Sequence, residues 1–284
     1  MNQIKGLAIN DISCVGRCSL TVALPIISAM GIECSILPTA VLSTHTGGFT
    51  GYTCLMLDDQ ITPIVNHWKS INREYDFIYS GFLCSKAQID LVIDLINQFK
   101  TNDNLVLVDP AMADNGKLYS LFDMDFVEKM KELCKKADVL VPNITEACLL
   151  TGMEYIPGIQ SKEYITELIY HLSKFGVNNI VLTGVSFKEG NIGVATYDVS
   201  RDEFRYYARE QIEGYYHGTG DIFASVLIGA LAKGLDLLDA AKIAVDFTVD
   251  SIIETKKKDN YDEKYGVDFE KVLPKLMTND VLSK

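Results

Sequence analysis

Short, almost wholly apolar runs alternate along this chain with longer segments whose apolar residues recur every third or fourth position. The short runs at 6–10, 35–41, 77–80, 105–108, 139–141 and 179–183 predict buried strands. The longer segments at 61–71, 87–99, 126–133 and 164–175 predict amphipathic helices. A strand that is apolar on both faces needs cover on both, which alternating βαβ units supply to a mainly parallel sheet. Two later runs, 192–197 and 203–207, predict an antiparallel pair at one edge of it. Two adjacent helices follow, 221–233 and 237–254, with Gly234 ending the first and Asp236 capping the second. No repeat, composition shift or low-complexity linker interrupts the pattern, so one domain is expected over residues 1–284.

In such sheets ligands gather outside the carboxyl ends of the strands. Polar clusters stand at those ends: Asn10-Asp11, residues 43–48, Asp109-Pro110, residues 143–146 and Thr183-Gly184. The formal net charge of −12 disfavours a nucleic-acid partner, because a phosphate backbone would be repelled. Lys256-Lys257-Lys258 is the one basic run, and it reads as a solvated helix end. No stretch reaches the roughly 18 apolar residues of a membrane helix, and Lys5 and Asp11 within the first apolar run are unlike a secretory signal. Seven cysteines, an odd number, suggest reduced thiols; Cys14 and Cys18 lack a second pair at zinc spacing. A cytoplasmic protein is expected.

Gly218-Thr219-Gly220-Asp221 before the apolar helix is the most informative stretch. Two glycines let backbone approach a ligand closely, and the helix start aims free N–H groups and a positive dipole end at the same point. Such a turn can hold a phosphoryl group as its charge builds. Asp221 beside it can accept a proton from an attacking hydroxyl, so phosphoryl transfer to an alcohol has both of its requirements. The same four residues can also simply turn the chain and cap a helix. The other nucleotide motifs are missing: there is no G-x-x-x-x-G-K-[ST], and the first turn, with Gly16 alone, has no dinucleotide fingerprint.

Four segments, in order, resemble the vitamin kinase branch of the ribokinase superfamily, and the pyridoxal (vitamin B6) kinases in particular. They are Ser43-Thr44-His45-Thr46-Gly47, Val108-Asp109-Pro110, Val141-Pro142-Asn143-Ile144-Thr145-Glu146-Ala147 and the Gly-Thr-Gly-Asp turn. The resemblance runs from about Leu7 to Ile253 and implies a ribokinase-like three-layer αβα sandwich around a central, mostly parallel sheet. It implies Asp221 as the catalytic base and the amides of Gly218, Thr219 and Gly220 as the anion hole. Asp109, Asn143, Glu146 and Thr183 would serve ATP, with Glu146 and Asp109 near Mg²⁺, through water. His45, Thr46 and Phe82 would line the substrate pocket with Asp11. A monovalent cation such as K⁺ and a homodimer are further implications.

Each residue has an ordinary reading beside the functional one. Asn143 can cap a helix beginning near Ile144, with Glu146 completing a capping box. Asp109 before Pro110 can be a strand-to-turn residue, His45 a surface histidine and Thr183 a strand residue. The chain also departs from the branch: Asp11 stands where pyridoxal kinases have Ser, which suits a sugar hydroxyl or a charged amine, and Phe82 stands where they often have Tyr. The alternatives are hydroxymethylpyrimidine or sugar kinases of the same fold, and a silent metabolite sensor. The first often carry Gly-Thr-Gly-Cys, against which Asp221 argues. The short segment after the first strand leaves little room for a β lid.

Overall fold

The computed structural model describes residues 3–277. One sheet of nine strands receives most of the chain, in the order β11-β10-β9-β8-β5-β4-β1-β2-β3. Six central strands run parallel: β1 (Lys5–Ser13), β2 (Glu33–Leu42), β4 (Phe77–Ser80), β5 (Leu105–Val108), β8 (Val139–Leu140) and β9 (Asn179–Val185). At one edge β10 (Asn191–Asp198) and β11 (Glu203–Glu210) continue antiparallel; at the other, β3 (Cys54–Met56) pairs antiparallel with β2. The hairpin β6 (Ala113–Asp114) and β7 (Lys117–Leu118) lies outside this sheet.

Strand residues alternate between two cores, which makes the third layer necessary. Leu7, Ile9, Ile78, Val106 and Val108 face α2 (Asp58–Ser70), α3 (Lys86–Phe99), α4 (Met124–Cys134), α5 (Ile144–Thr151) and α6 (Lys162–Ser173). Ala8, Phe77, Tyr79 and Leu107 face α1 (Leu20–Ala29), α7 (Thr219–Ala232) and α8 (Leu237–Lys256). The expected three-layer αβα sandwich is the observed fold. After α8 the chain returns across the first turn through short 3₁₀ turns at Glu263–Tyr265, Phe269–Lys271 and Leu273–Leu276.

The pattern of hydrophobic positions missed α1, β3 and the β6–β7 hairpin. Helix α1 carries Pro25 in its interior, and its apolar residues leave no polar face to set a period. The missed strands are only two or three residues long. No helix among the described residues is long and apolar enough to cross a membrane.

Candidate active site

A cavity of about 620 Å³ opens at the carboxyl ends of β1, β4, β5, β8 and β9. Asp11 reaches it from β1, Phe82 from the loop after β4, Asp109 from the loop after β5, and Asn143 and Glu146 from the start of α5. Thr183 comes from β9, His45 and Thr46 from the segment after β2, and residues 218–221 from the start of α7. Every sequence-predicted site residue therefore stands on this one cavity.

Gly218 caps α7 at φ 77°. A Cβ there would lie 2.0 Å from the Arg17 carbonyl oxygen, so both the backbone angle and the space demand glycine. The first amide hydrogen bond of the helix runs from Ile222 N–H to the Gly218 carbonyl at 3.0 Å. The Thr219 and Gly220 amides precede it and have no helical acceptor.

The Asp221 carboxylate sits in the same first turn with two donors aimed at it. Asn10 Nδ2 donates to Oδ1 at 3.2 Å, and the Ser19 backbone N–H donates to Oδ2 at 2.9 Å. Burial pushes its pKa up to about 6; the Ser19 amide opposes that rise, the Asp11 charge adds to it and Asn10 opposes it. Asn10 cannot turn its amide over, because its Oδ1 accepts from Asp11 N–H at 3.0 Å. Ser19 holds φ 59°, an unusual angle for a residue with a Cβ, at the cap of α1. Asp11 itself accepts from Ser19 Oγ at 2.5 Å and from Ser13 Oγ at 3.0 Å. Burial raises its pKa and those hydroxyls hold it down.

The other end of the cavity holds two more buried carboxylates, in contrasting states. Glu146 is fully engaged: Oε2 accepts from Asn143 N–H at 2.9 Å and Oε1 from Met112 N–H at 3.1 Å. Asn143 returns the contact, its Oδ1 accepting from Glu146 N–H at 2.9 Å while Nδ2 donates to the Ala113 carbonyl at 2.8 Å. The capping box read in the sequence is thus present, and it also anchors β6. Asp109, only 9% exposed, makes no side-chain hydrogen bond among the described residues. Its Oδ2 lies 4.0 Å from where a Cβ on Gly220 would stand, so it faces the free amides. Burial, then repulsion from Glu146 and Asp221, raises its pKa well above the ordinary value. Thr183 Oγ1 makes a long 3.4 Å bond to the Pro142 carbonyl and keeps its edge toward the cavity.

At the β1 and β2 side, His45 accepts Gly47 N–H on Nδ1 at 3.1 Å. Its Nε2 therefore carries the proton and donates to the Lys264 carbonyl at 2.6 Å. His217 packs 5.0 Å from the His45 ring, and burial pushes its pKa down to about 4. Phe82 packs 5.6 Å from Phe122. Sequence reasoning assigned no role to Asn10, Ser19 or His217. His217 abuts the glycine turn and Asn10 adjoins Asp11, so adjacency was the available signal; Ser19 gave none, because its angle follows from the tertiary fold.

The sequence pattern of the family described as phosphomethylpyrimidine kinase matches residues 24–266. A Bacteroides thetaiotaomicron protein provisionally named a phosphomethylpyrimidine kinase, crystallised with pyridoxal, is 36% identical, with a TM-score of 0.92 over 98% of this chain and 96% of its own. Pyridoxal kinase from Lactobacillus plantarum is 30% identical, with a TM-score of 0.89 and 98% of each chain covered. Pyridoxal kinase from Dictyostelium discoideum is 27% identical over 88% of this chain and 86% of its own. The chain belongs to the phosphomethylpyrimidine kinase family, a group of ribokinase-like kinases. Within that superfamily its resemblance is to the pyridoxal kinases.

Proposed function

We propose that this kinase transfers the γ-phosphoryl group of ATP to the 5′-hydroxymethyl group of a vitamin B6 vitamer: pyridoxal, pyridoxamine or pyridoxine. The observation that carries the reading is a carboxylate of raised pKa, Asp221, beside the unpaired amides of Thr219 and Gly220 at one end of a cavity. Asp221 takes the proton of the attacking hydroxyl, and the amides of residues 218–220 receive the charge that builds on the transferred phosphoryl. Asn10 and the Ser19 amide fix the carboxylate in place.

Asp109 is the free carboxylate beside that anion hole, which fits Mg²⁺, an ion that keeps most of its waters and takes one or two carboxylates. When bound, Mg²⁺ would neutralise charge on the ATP phosphates. Glu146, whose oxygens already accept backbone amides, would act on it only through water, and Asn143 and Thr183 complete that wall. Thr46 and Phe82 form the alcohol wall with His45 behind them, and Asp11 offers a negative charge to an amine. A K⁺ ion near the glycine turn belongs to the same reading.

The chain reads as one domain, since one sheet takes strands from Lys5 to Glu210. A homodimer belongs to the same reading, and the edge strand β3, exposed along all three residues, offers an open backbone edge for it. Unpaired thiols at all seven cysteines suit the cytoplasm.

The test is ADP release with Mg-ATP and K⁺, offering the three vitamers, hydroxymethylpyrimidine and ribose separately. Turnover confined to the vitamers is expected. The family description favours hydroxymethylpyrimidine as the second reading, and turnover on that alcohol alone would put it first.

A further inference from the structure

The alcohol end of the cavity rests on two irregular segments, residues 14–18 after β1 and residues 43–51 between β2 and β3. Both are held by a single distant stretch of chain. Arg17 N–H donates to the Tyr265 carbonyl at 3.1 Å. The Arg17 guanidinium meets Asp268 at 2.9 Å and Glu270 at 2.6 Å. Gly266, at φ 73°, lies so close that a Cβ would stand 2.8 Å from the Arg17 carbonyl oxygen. On the second segment, His45 donates to the Lys264 carbonyl at 2.6 Å, and Phe49 meets the Tyr265 ring edge-on at 5.5 Å. Tyr265 thus touches both segments at once, and Lys264 beside it holds the second.

The stretch is itself pinned from below. Asp268 is 3% exposed, pairs with Lys258 as well as Arg17, and its N–H donates to Thr255 Oγ1 at 2.7 Å on α8. Among the described residues, none of its hydrogen bonds or ion pairs reaches Asp109, Asn143, Glu146 or Thr183.

We propose that residues 262–270 are a strap that builds the alcohol end of the pocket, and that Arg17 and His45 are positioning residues acting through it. Both His45 nitrogens are spent on backbone, so the ring holds Thr46 and Gly47 in place without donating to the alcohol. Arg17 does the same for the turn that leads to Cys18 and Ser19, the latter a donor to Asp221. The strap rests on the kinase reading above only in taking this end as the alcohol's.

The asymmetry of the contacts sets the test. Arg17→Gln keeps the side chain as far as Cδ and removes the charge that Asp268 and Glu270 share. The KM for the alcohol is expected to rise about tenfold and kcat to fall severalfold, because the Ser19 donor to Asp221 follows the same turn, with the KM for ATP within about twofold. Amide hydrogen exchange in the ligand-free protein is expected to quicken at residues 43–51 and stay unchanged at residues 143–151. Phe49→Ala, which removes the ring contacts with Tyr265 and with His45, repeats the measurement should Arg17→Gln not fold. Equal rises in both KM values, or unchanged exchange at 43–51, would overturn the strap. If the wild-type protein phosphorylates no B6 vitamer, the substrate reading fails, while the exchange measurement still decides the strap.

Discussion

The two ends of the pocket, proposed for the phosphates and for the alcohol, are built by different means. At the phosphate end the walls are strand ends and helix starts, and their polar groups already serve the fold. Asn143 and Glu146 satisfy each other and the β6 backbone, which leaves Asp109 and the amides of Thr219 and Gly220 as the groups with capacity to spare. At the alcohol end the walls are turns, and their order comes from residues more than two hundred positions away, as in the His45–Lys264 bond. A residue can therefore shape a site without a free donor or acceptor: by capping a helix at one end, or by tying down a loop at the other.

Asp221 stands where the two ends meet, and its loss should be the largest effect. Asp221→Asn is expected to lower kcat by about 10³-fold while ATP affinity stays within about twofold, by calorimetric titration. As the proposed base, Asp221 works only when ionised, and burial pushes its pKa up to about 6. Wild-type kcat/KM should therefore fall about tenfold for each pH unit below that value and level off above it. The same shift predicts a stability effect of definite sign. With a folded pKa above the ordinary 3.8, Asp221 favours folding at pH below 3.8, and that advantage is lost as pH rises through about 6. Asparagine carries no charge, so the thermal stability of Asp221→Asn should gain on wild type across that window. A flat difference between pH 4 and 8 would mean the carboxylate is not strained by burial.

How much was legible beforehand follows the same division. The parallel sheet, both helical layers and the glycine turn were readable because apolar strands and amphipathic helices carry their periods locally. The residues proposed for the phosphate end were readable as a motif because the fold itself uses them: Asn143 and Glu146 are three apart, as a capping box requires. Helix α1 was not readable, since Pro25 and an unbroken apolar run hide its period. Nor was the role of Arg17, which no spacing connects to Asp268. Ser19 owes its place beside Asp221 to a backbone angle that nothing in its neighbours announces.

The phosphate end can be broken next. Asn143→Ala removes the acceptor for Glu146 N–H and the donor to the Ala113 carbonyl together. A lost helix cap costs about 1–2 kcal/mol, which urea unfolding should register. KM for ATP should rise several-fold in step, because Glu146 and β6 lose their anchor, while KM for the alcohol should hardly move. A rise in the alcohol KM instead would erase the division between the ends.

The smallest effect expected is a change of preference. Asp11 is a buried carboxylate at the alcohol end whose two oxygens accept from Ser13 and Ser19 hydroxyls. Both hydroxyls can rotate, so an asparagine in its place keeps partners for its oxygen and its amide, and the fold should tolerate the exchange. What asparagine lacks is the charge. If that charge meets the ammonium of pyridoxamine, its loss is worth on the order of 1 kcal/mol at a partly screened site, or about fivefold. Asp11→Asn should therefore lower kcat/KM for pyridoxamine about fivefold relative to pyridoxine, the vitamer with a neutral hydroxyl at that place. Competing the two vitamers in one vessel reads that ratio directly and is insensitive to small differences in active enzyme. An unchanged ratio would assign Asp11 to the serine network alone, and the alcohol end would then be neutral toward its ligand, shaped by the strap and its turns without a charge of its own.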